Sequence, residues 1–195
     1  MIVNRKYKFV YLSMTKTASE SLRPFFLHIR GSKNPDVRNR KGVRNFRHHD
    51  RVPPSYAASY DKIVAIRNPY TRIASIYAMA QRNNLNIPYE SFEELVDYLL
   101  EDVQKDQNED YDWIRWLPTW KYLEPIKNVK HILKFENLQE DIAKLDFLKG
   151  KRVYLSHINR SSKYESFDEL ATPEIIEKVN LWAGKDFELY GYEKR

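Results

Sequence analysis

The stretch FVYLSMTKTASESLRPFF, residues 9–26, decides how the chain folds. Lys8 to Ser13 read as a buried strand, with Phe9, Val10, Tyr11 and Leu12 in sequence. Leu22, Phe25, Phe26 and Ile29 then recur at i, i+3, i+4 and i+7, the stripe of a helix with one core face. Between them lies a small, hydroxyl-rich turn with a single cation, Lys16. A helix opening near Ser19 presents N–H groups without intrahelical acceptors and the positive end of its dipole, which together attract an anion. The turn contains no glycine and its lysine precedes the hydroxyls, so the Walker A pattern is absent and an ordinary nucleoside-triphosphatase is disfavoured.

A second strand–turn–helix follows. Lys62 to Ile66 read as a strand, Asn68 as an N-cap and Pro69 as the first helical residue. Ile73, Ile76, Tyr77 and Ala80 repeat the helical stripe, with Arg72 and Ser75 expected on the opposite face. Arg67, Arg72 and Ser75 could therefore converge on a second phosphate, for which arginine forks are well shaped.

Further along, residues 91–104 read as a helix opened by the capping box SFEE. Trp113, Trp116 and Trp120 follow a polar connector at the spacing of a core stripe. Residues 129–135 read as a third strand, 139–148 as a helix and 152–156 as a short strand, and Thr172–Pro173 start a final helix. MIVNRKYKFVYL, at the start, reads as a first strand. Alternating strands and helices predict an α/β fold: one domain over residues 1–195, with a central, mostly parallel sheet flanked by helices. Ligands in such sheets gather beyond the carboxyl ends of the strands, where both turns lie.

The net charge of +6 is concentrated locally. Residues 30–51 hold eight arginines and lysines against Asp36 and Asp50, within a long basic loop over 31–57. Such a run either favours a polyanionic partner or is a solvated surface loop. With no cysteine there is no thiol nucleophile, disulfide or thiolate metal site. The histidines and carboxylates lack metal-ligand spacing, so no metal is expected. No apolar run reaches the length of a membrane span and no leader is visible, so the chain reads as soluble and cytoplasmic, without membrane insertion. His28, His131 and His157 read as structural.

The two turns resemble the signature motifs of sulfotransferases. TKTASES, residues 15–21, is similar to their 5′-phosphosulfate loop, and RNPYTRIASIY, residues 67–77, to their 3′-phosphate motif. LKFENL (133–138), HINRSS (157–162) and DFELYGY (186–192) continue the resemblance in order, over most of the chain. The group most resembled is the carbohydrate sulfotransferases of the heparan sulfate 2-O type, with a P-loop-like fold. The resemblance implies transfer of a sulfuryl group from 3′-phosphoadenosine 5′-phosphosulfate (PAPS) to a hydroxyl, on a carbohydrate, leaving adenosine 3′,5′-bisphosphate (PAP). It also implies no metal.

On that resemblance Lys16 contacts the transferring group, and the segment Thr17, Ala18, Ser19, Glu20 and Ser21 holds the 5′-phosphate. Arg67 and Ser75 hold the 3′-phosphate, with Arg72 beside them, while Arg160 and Lys163 close over that end. A base for the acceptor comes from His49, His48 or Glu20. Two departures stand out: Thr15 where the family usually has proline, and Glu20 in place of a phosphate-binding threonine. Two other classes fit the same residues. One is a small-molecule kinase-like nucleotide enzyme, and the other a noncatalytic module that binds polyanions through a degenerate donor site. A nucleic acid partner is not expected.

Overall fold

The N-terminal stretch that reads as one strand folds back on itself. In the computed structural model, which describes residues 1–33, 59–82, 89–104, 117–155 and 166–195, Asn4 makes the reversal. Its Oδ1 accepts the Tyr7 N–H at 2.8 Å, and Lys8 takes a left-handed φ of 52°. Alternating charges and apolar residues do not show where a strand is interrupted, so the hairpin is hidden in the sequence.

Among the described residues the strands are β1 (Ile2–Asn4), β2 (Phe9–Leu12), β3 (Ser32–Lys33), β4 (Asp61–Ile66) and β5 (Val129–Lys134). The α-helices begin with α1 (Ser19–His28), α2 (Pro69–Arg82), α3 (Phe92–Gln104) and α4 (Thr119–Leu123). They continue with α5 (Leu138–Ala143), α6 (Phe167–Leu170), α7 (Pro173–Trp182) and α8 (Gly184–Tyr190). Met1–Ile66 with Pro125–Asn159 make one compact unit, and Arg67–Glu124 with Arg160–Arg195 the other.

The first unit holds the sheet, in the order β3-β1-β2-β4-β5. β2, β4 and β5 pair in parallel, whereas β1 is antiparallel to both β2 and β3. Four of the five strands therefore point the same way, which makes this a mostly parallel α/β sheet. Register puts Ile2, Phe9, Tyr11, Ile63, Ala65 and Leu133 on one face, and Leu22 and Phe26 of α1 and Ile142 of α5 pack there. Aromatic contacts order this core: Tyr11 stacks on Phe26 at 4.5 Å, and Phe9 on Phe147 at 4.8 Å. Pro24 interrupts the hydrogen bonding of α1, and His28 Nδ1 lies 2.6 Å from the Pro24 carbonyl, a local structural contact. His131 is half-buried on β5, and burial, then the Lys130 charge, holds its imidazole below the ordinary value.

Two expected elements differ. The helix read over 139–148 stops at Ala143 and resumes as a 3-10 turn, Asp146–Leu148. Residues 152–156 read as a strand, but Lys151 to Leu155 carry no ladder. Instead the Gln139 side chain donates to Val153 O at 2.6 Å and accepts from Leu155 N–H at 3.1 Å. One amide side chain thus substitutes for a neighbouring strand.

The turn that leads into β3 depends on Gly31. Its φ is +92°, its carbonyl accepts the Arg5 N–H at 3.2 Å, and an added Cβ would lie 2.8 Å from Lys6 Cβ. Gly31→Ala should therefore lower stability by about 1–3 kcal/mol, read from a urea or thermal melt. Unchanged melting would mean that this edge contributes little.

The second unit is helical. Tyr70, Ile73, Ile76, Phe92, Leu95, Val179 and Trp182 share its core. The Asn68 side chain accepts Tyr70 N–H at 3.0 Å, as the cap reading expects. Thr172 Oγ1 likewise accepts Ile175 N–H at 3.2 Å. At α3 the Ser91 hydroxyl accepts Glu94 N–H, but Glu94 reaches back to Glu90 N–H, one residue before the N-cap. Arg195 packs over Tyr70 and Phe167, 5.2 and 5.5 Å from the ring centres, and its N–H donates to Tyr70 Oη at 2.8 Å. Trp120 lies on α4 under Lys185 Nζ, at 4.2 Å, while Trp113 and Trp116 fall outside the described residues. Among the described residues no helix is long and apolar enough to cross a membrane.

Candidate active site

In the first unit, β2 delivers the chain into Ser13–Ala18 and then α1. Lys16 and Ala18 both take left-handed φ of 64°, while Thr17 between them does not. Ala18, with ψ of 28°, is in the left-handed helical region, a conformation that contributes to anion-binding nests when a right-handed residue adjoins it. That a lysine and an alanine hold conformations usually left to glycine costs about 1–2 kcal/mol each. Two hydroxyls brace the loop from within: Thr17 Oγ1 donates to Met14 O at 3.1 Å, and Ser19 Oγ donates to the same carbonyl. Ala18 O then accepts the N–H groups of Ser21 and Leu22, starting the helix.

The loop thus leads into the mouth of α1, at the positive end of the helix dipole. Thr17 is buried, Ser21 nearly so, and Lys16 is half-buried beside them. The Ser19 hydroxyl thus shapes the loop from within. Glu20 is exposed, which keeps its carboxylate in water. An acid in the first turn also suits the helix dipole.

In the second unit, Arg67 Nε donates to Thr71 Oγ1 at 3.0 Å, and Thr71 in turn donates to Asn68 O at 3.2 Å. The guanidinium is thereby aimed by one of its own nitrogens. Thr71 and Ser75 are four residues apart, on one helix face, so Arg67, Thr71 and Ser75 form a row. The sequence reading misses Thr71; the signal is its i+4 spacing from Arg67 and to Ser75.

Arg72 departs from expectation. Helical periodicity puts it on a face opposite the core stripe, yet it is 1% exposed and lies 5.7 Å over the Trp182 ring. Burial pushes its guanidinium down to about 10, a shift opposed by the Asp186 carboxylate and reinforced by Arg67. It stays charged at neutral pH. Asp186, 2% exposed, accepts the N–H groups of Thr119 at 2.8 Å and Trp120 at 2.6 Å. Burial raises the Asp186 carboxyl above its ordinary value, against the pull of Arg72 and those N–H groups. A stripe of apolar residues gives no sign that an arginine beside it will be buried over a tryptophan ring 110 positions later.

His48, His49, Arg160 and Lys163 fall outside the described residues, as does most of the basic loop. Among the described residues no cluster of three histidines or carboxylates could hold a metal ion. In comparisons with known proteins, the model of the sulfotransferase family matches residues 1–193. No curated protein and no solved structure matches.

Proposed function

The chain belongs to the sulfotransferase family, and on that premise we propose that it moves a sulfuryl group from PAPS to a hydroxyl of a carbohydrate. The left-handed loop at Lys16–Ala18, leading into α1, is the observation that carries this reading. It is made without glycine, and it has a lysine at its rim. The parallel pairing of β2 with β4 adds support, because Lys16 and Arg67 then follow the carboxyl ends of neighbouring strands.

In this reading the segment Thr17 to Glu20 holds the 5′-phosphate through backbone N–H groups and Ser21 through its hydroxyl. Arg67 and Ser75 hold the 3′-phosphate, the group that separates this donor from ATP. Arg160 and Lys163 close over it. The donor supplies a sulfuryl group on a phosphate anhydride. The acceptor oxygen forms the new S–O bond in line as the bridging S–O bond breaks, and the electron pair leaves on the 5′-phosphate of PAP. Lys16 offsets the charge that grows on that leaving oxygen. His49 takes the hydroxyl proton; His48 and Glu20 are the other candidates for that step. The basic loop suits an acidic or already sulfated acceptor.

Calorimetry with PAP, adenosine 5′-monophosphate (AMP) and ATP tests the assignment. PAP should bind tightest, and Arg67→Ala should weaken it by about tenfold or more while leaving AMP unchanged, as for loss of a charge-assisted contact. A preference for ATP would reject the donor.

A further inference from the structure

Tyr70 lies in the first turn of α2, 1% exposed, with its ring 4.9 Å from that of Phe167 and 5.1 Å from that of Phe187. Its phenol is held from two sides. Tyr70 Oη donates to Asn180 Oδ1 on α7 and accepts the Arg195 N–H at 2.8 Å. Asn180 Nδ2 donates to Arg195 O at 3.1 Å, which closes a ring of three hydrogen bonds. Each member gives one bond and takes one, and the Arg195 carbonyl, an acceptor only, fixes which way the amide points. The Arg195 guanidinium adds to the hold, lying over Tyr70 and Phe167 and pairing with Asp168.

The backbone of Tyr70 is tied in turn to the row of Arg67, Thr71 and Ser75. Its N–H donates to Asn68 Oδ1 at 3.0 Å. The Asn68 carbonyl accepts Thr71 Oγ1 at 3.2 Å and Arg72 N–H at 2.9 Å, and Thr71 Oγ1 accepts Arg67 Nε at 3.0 Å. Hydrogen bonds, joined by the covalent frames of Tyr70 and Asn68, therefore run from Asn180 and Arg195 to the Arg67 guanidinium. The first turn of a helix cannot supply such order itself, because its N–H groups lack intrahelical acceptors.

We propose that Asn180 and Arg195 are positioning residues for the second motif: their ring of hydrogen bonds on Tyr70 holds the first turn of α2, and with it the aim of the Arg67 guanidinium at a phosphate. The phosphate part of this rests on the donor reading above; the holding of the turn does not.

Asn180→Ala removes two of the three bonds, keeps a good helix former at a half-buried position, and leaves Arg67, Thr71 and Ser75 in place. Two measurements on the full chain decide the matter. By NMR, amide exchange at Tyr70 and Arg72, whose N–H groups Asn68 accepts, should accelerate by about tenfold, while α1 stays as protected as before. In calorimetry the PAP affinity should fall by about fivefold with AMP binding unchanged, because the contact that loosens is the one to the 3′-phosphate. Should Asn180→Ala prove poorly folded by circular dichroism, Tyr70→Phe takes its place. That variant keeps the aromatic packing, removes the oxygen on which the ring closes, and carries the same expectations.

Unchanged exchange at Tyr70 and Arg72 would show that the ring holds nothing, and would overturn the proposal. Equal acceleration in α1 would reduce the ring to general stability and would overturn the proposal as well. A loosened turn with an intact preference for PAP would overturn the aiming role. Should the unmodified protein show no preference for PAP over AMP, the donor reading fails, and the exchange data alone judge the holding of the turn.

Discussion

Lys16→Met is expected to lower kcat by about 10²–10³-fold, the usual consequence of removing one preorganised positive group from a site of developing charge. The structural basis is the loop. A left-handed backbone holds Lys16 half-buried at the mouth of α1, where the proposed donor would place its 5′-phosphate. Negative charge on the bridging oxygen is greater in the transition state than in the bound donor. The loss should therefore fall mainly on kcat, with a smaller change in the affinity for PAP. Methionine keeps the length and the backbone preference, so melting should not change. Steady-state transfer of radiolabelled sulfate to a panel of glycans is the measurement. Normal turnover in the variant would remove Lys16 from the mechanism.

The largest effect on stability is expected at Arg72. Replacing it with methionine removes the guanidinium that lies over the Trp182 ring and the charge that offsets the burial of the Asp186 carboxylate, a loss expected to cost about 3 kcal/mol. The loss should appear as a lower urea midpoint. Pairing the change with Asp186→Leu removes the stranded carboxylate, and much of the stability should return, since apolar replacements of both partners are often tolerated. The recovery will be incomplete, because leucine cannot accept the Thr119 and Trp120 N–H groups. If Arg72→Met melts like the unmodified protein, the buried guanidinium over Trp182 adds nothing to stability.

Local chemistry is legible in the sequence; distant pairing is not. The strand at Phe9–Leu12, the helix after it, the Asn68 cap and the Thr172 cap all follow from residues within a few positions of one another. So does the parallel sheet, because strand–turn–helix units connect in few ways. The hairpin at Asn4 escapes because charged turn residues resemble the outward positions of a strand. The extended segment at Val153–Leu155 looks like a strand because it is apolar, yet its partner is a side chain from α5. Arg72 is misplaced for a related reason. Helical periodicity assigns faces by hydrophobicity, and it assigns an arginine to water even where a distant tryptophan ring buries it. The histidines at 48 and 49 and the Arg160 loop lie outside the described residues, so their expected roles stand on the resemblance alone.

The two left-handed residues without glycine, Lys16 and Ala18, bear on the thermodynamics of recognition. A glycine loop would sample many shapes and be narrowed to one by its guest. Here the side chains restrict the wandering of the backbone beforehand, and the hydroxyls of Thr17 and Ser19 fasten the Met14 carbonyl in place. The entropy of ordering that loop is spent when the protein folds, so on the proposed donor reading an incoming phosphate would meet a preorganised mould.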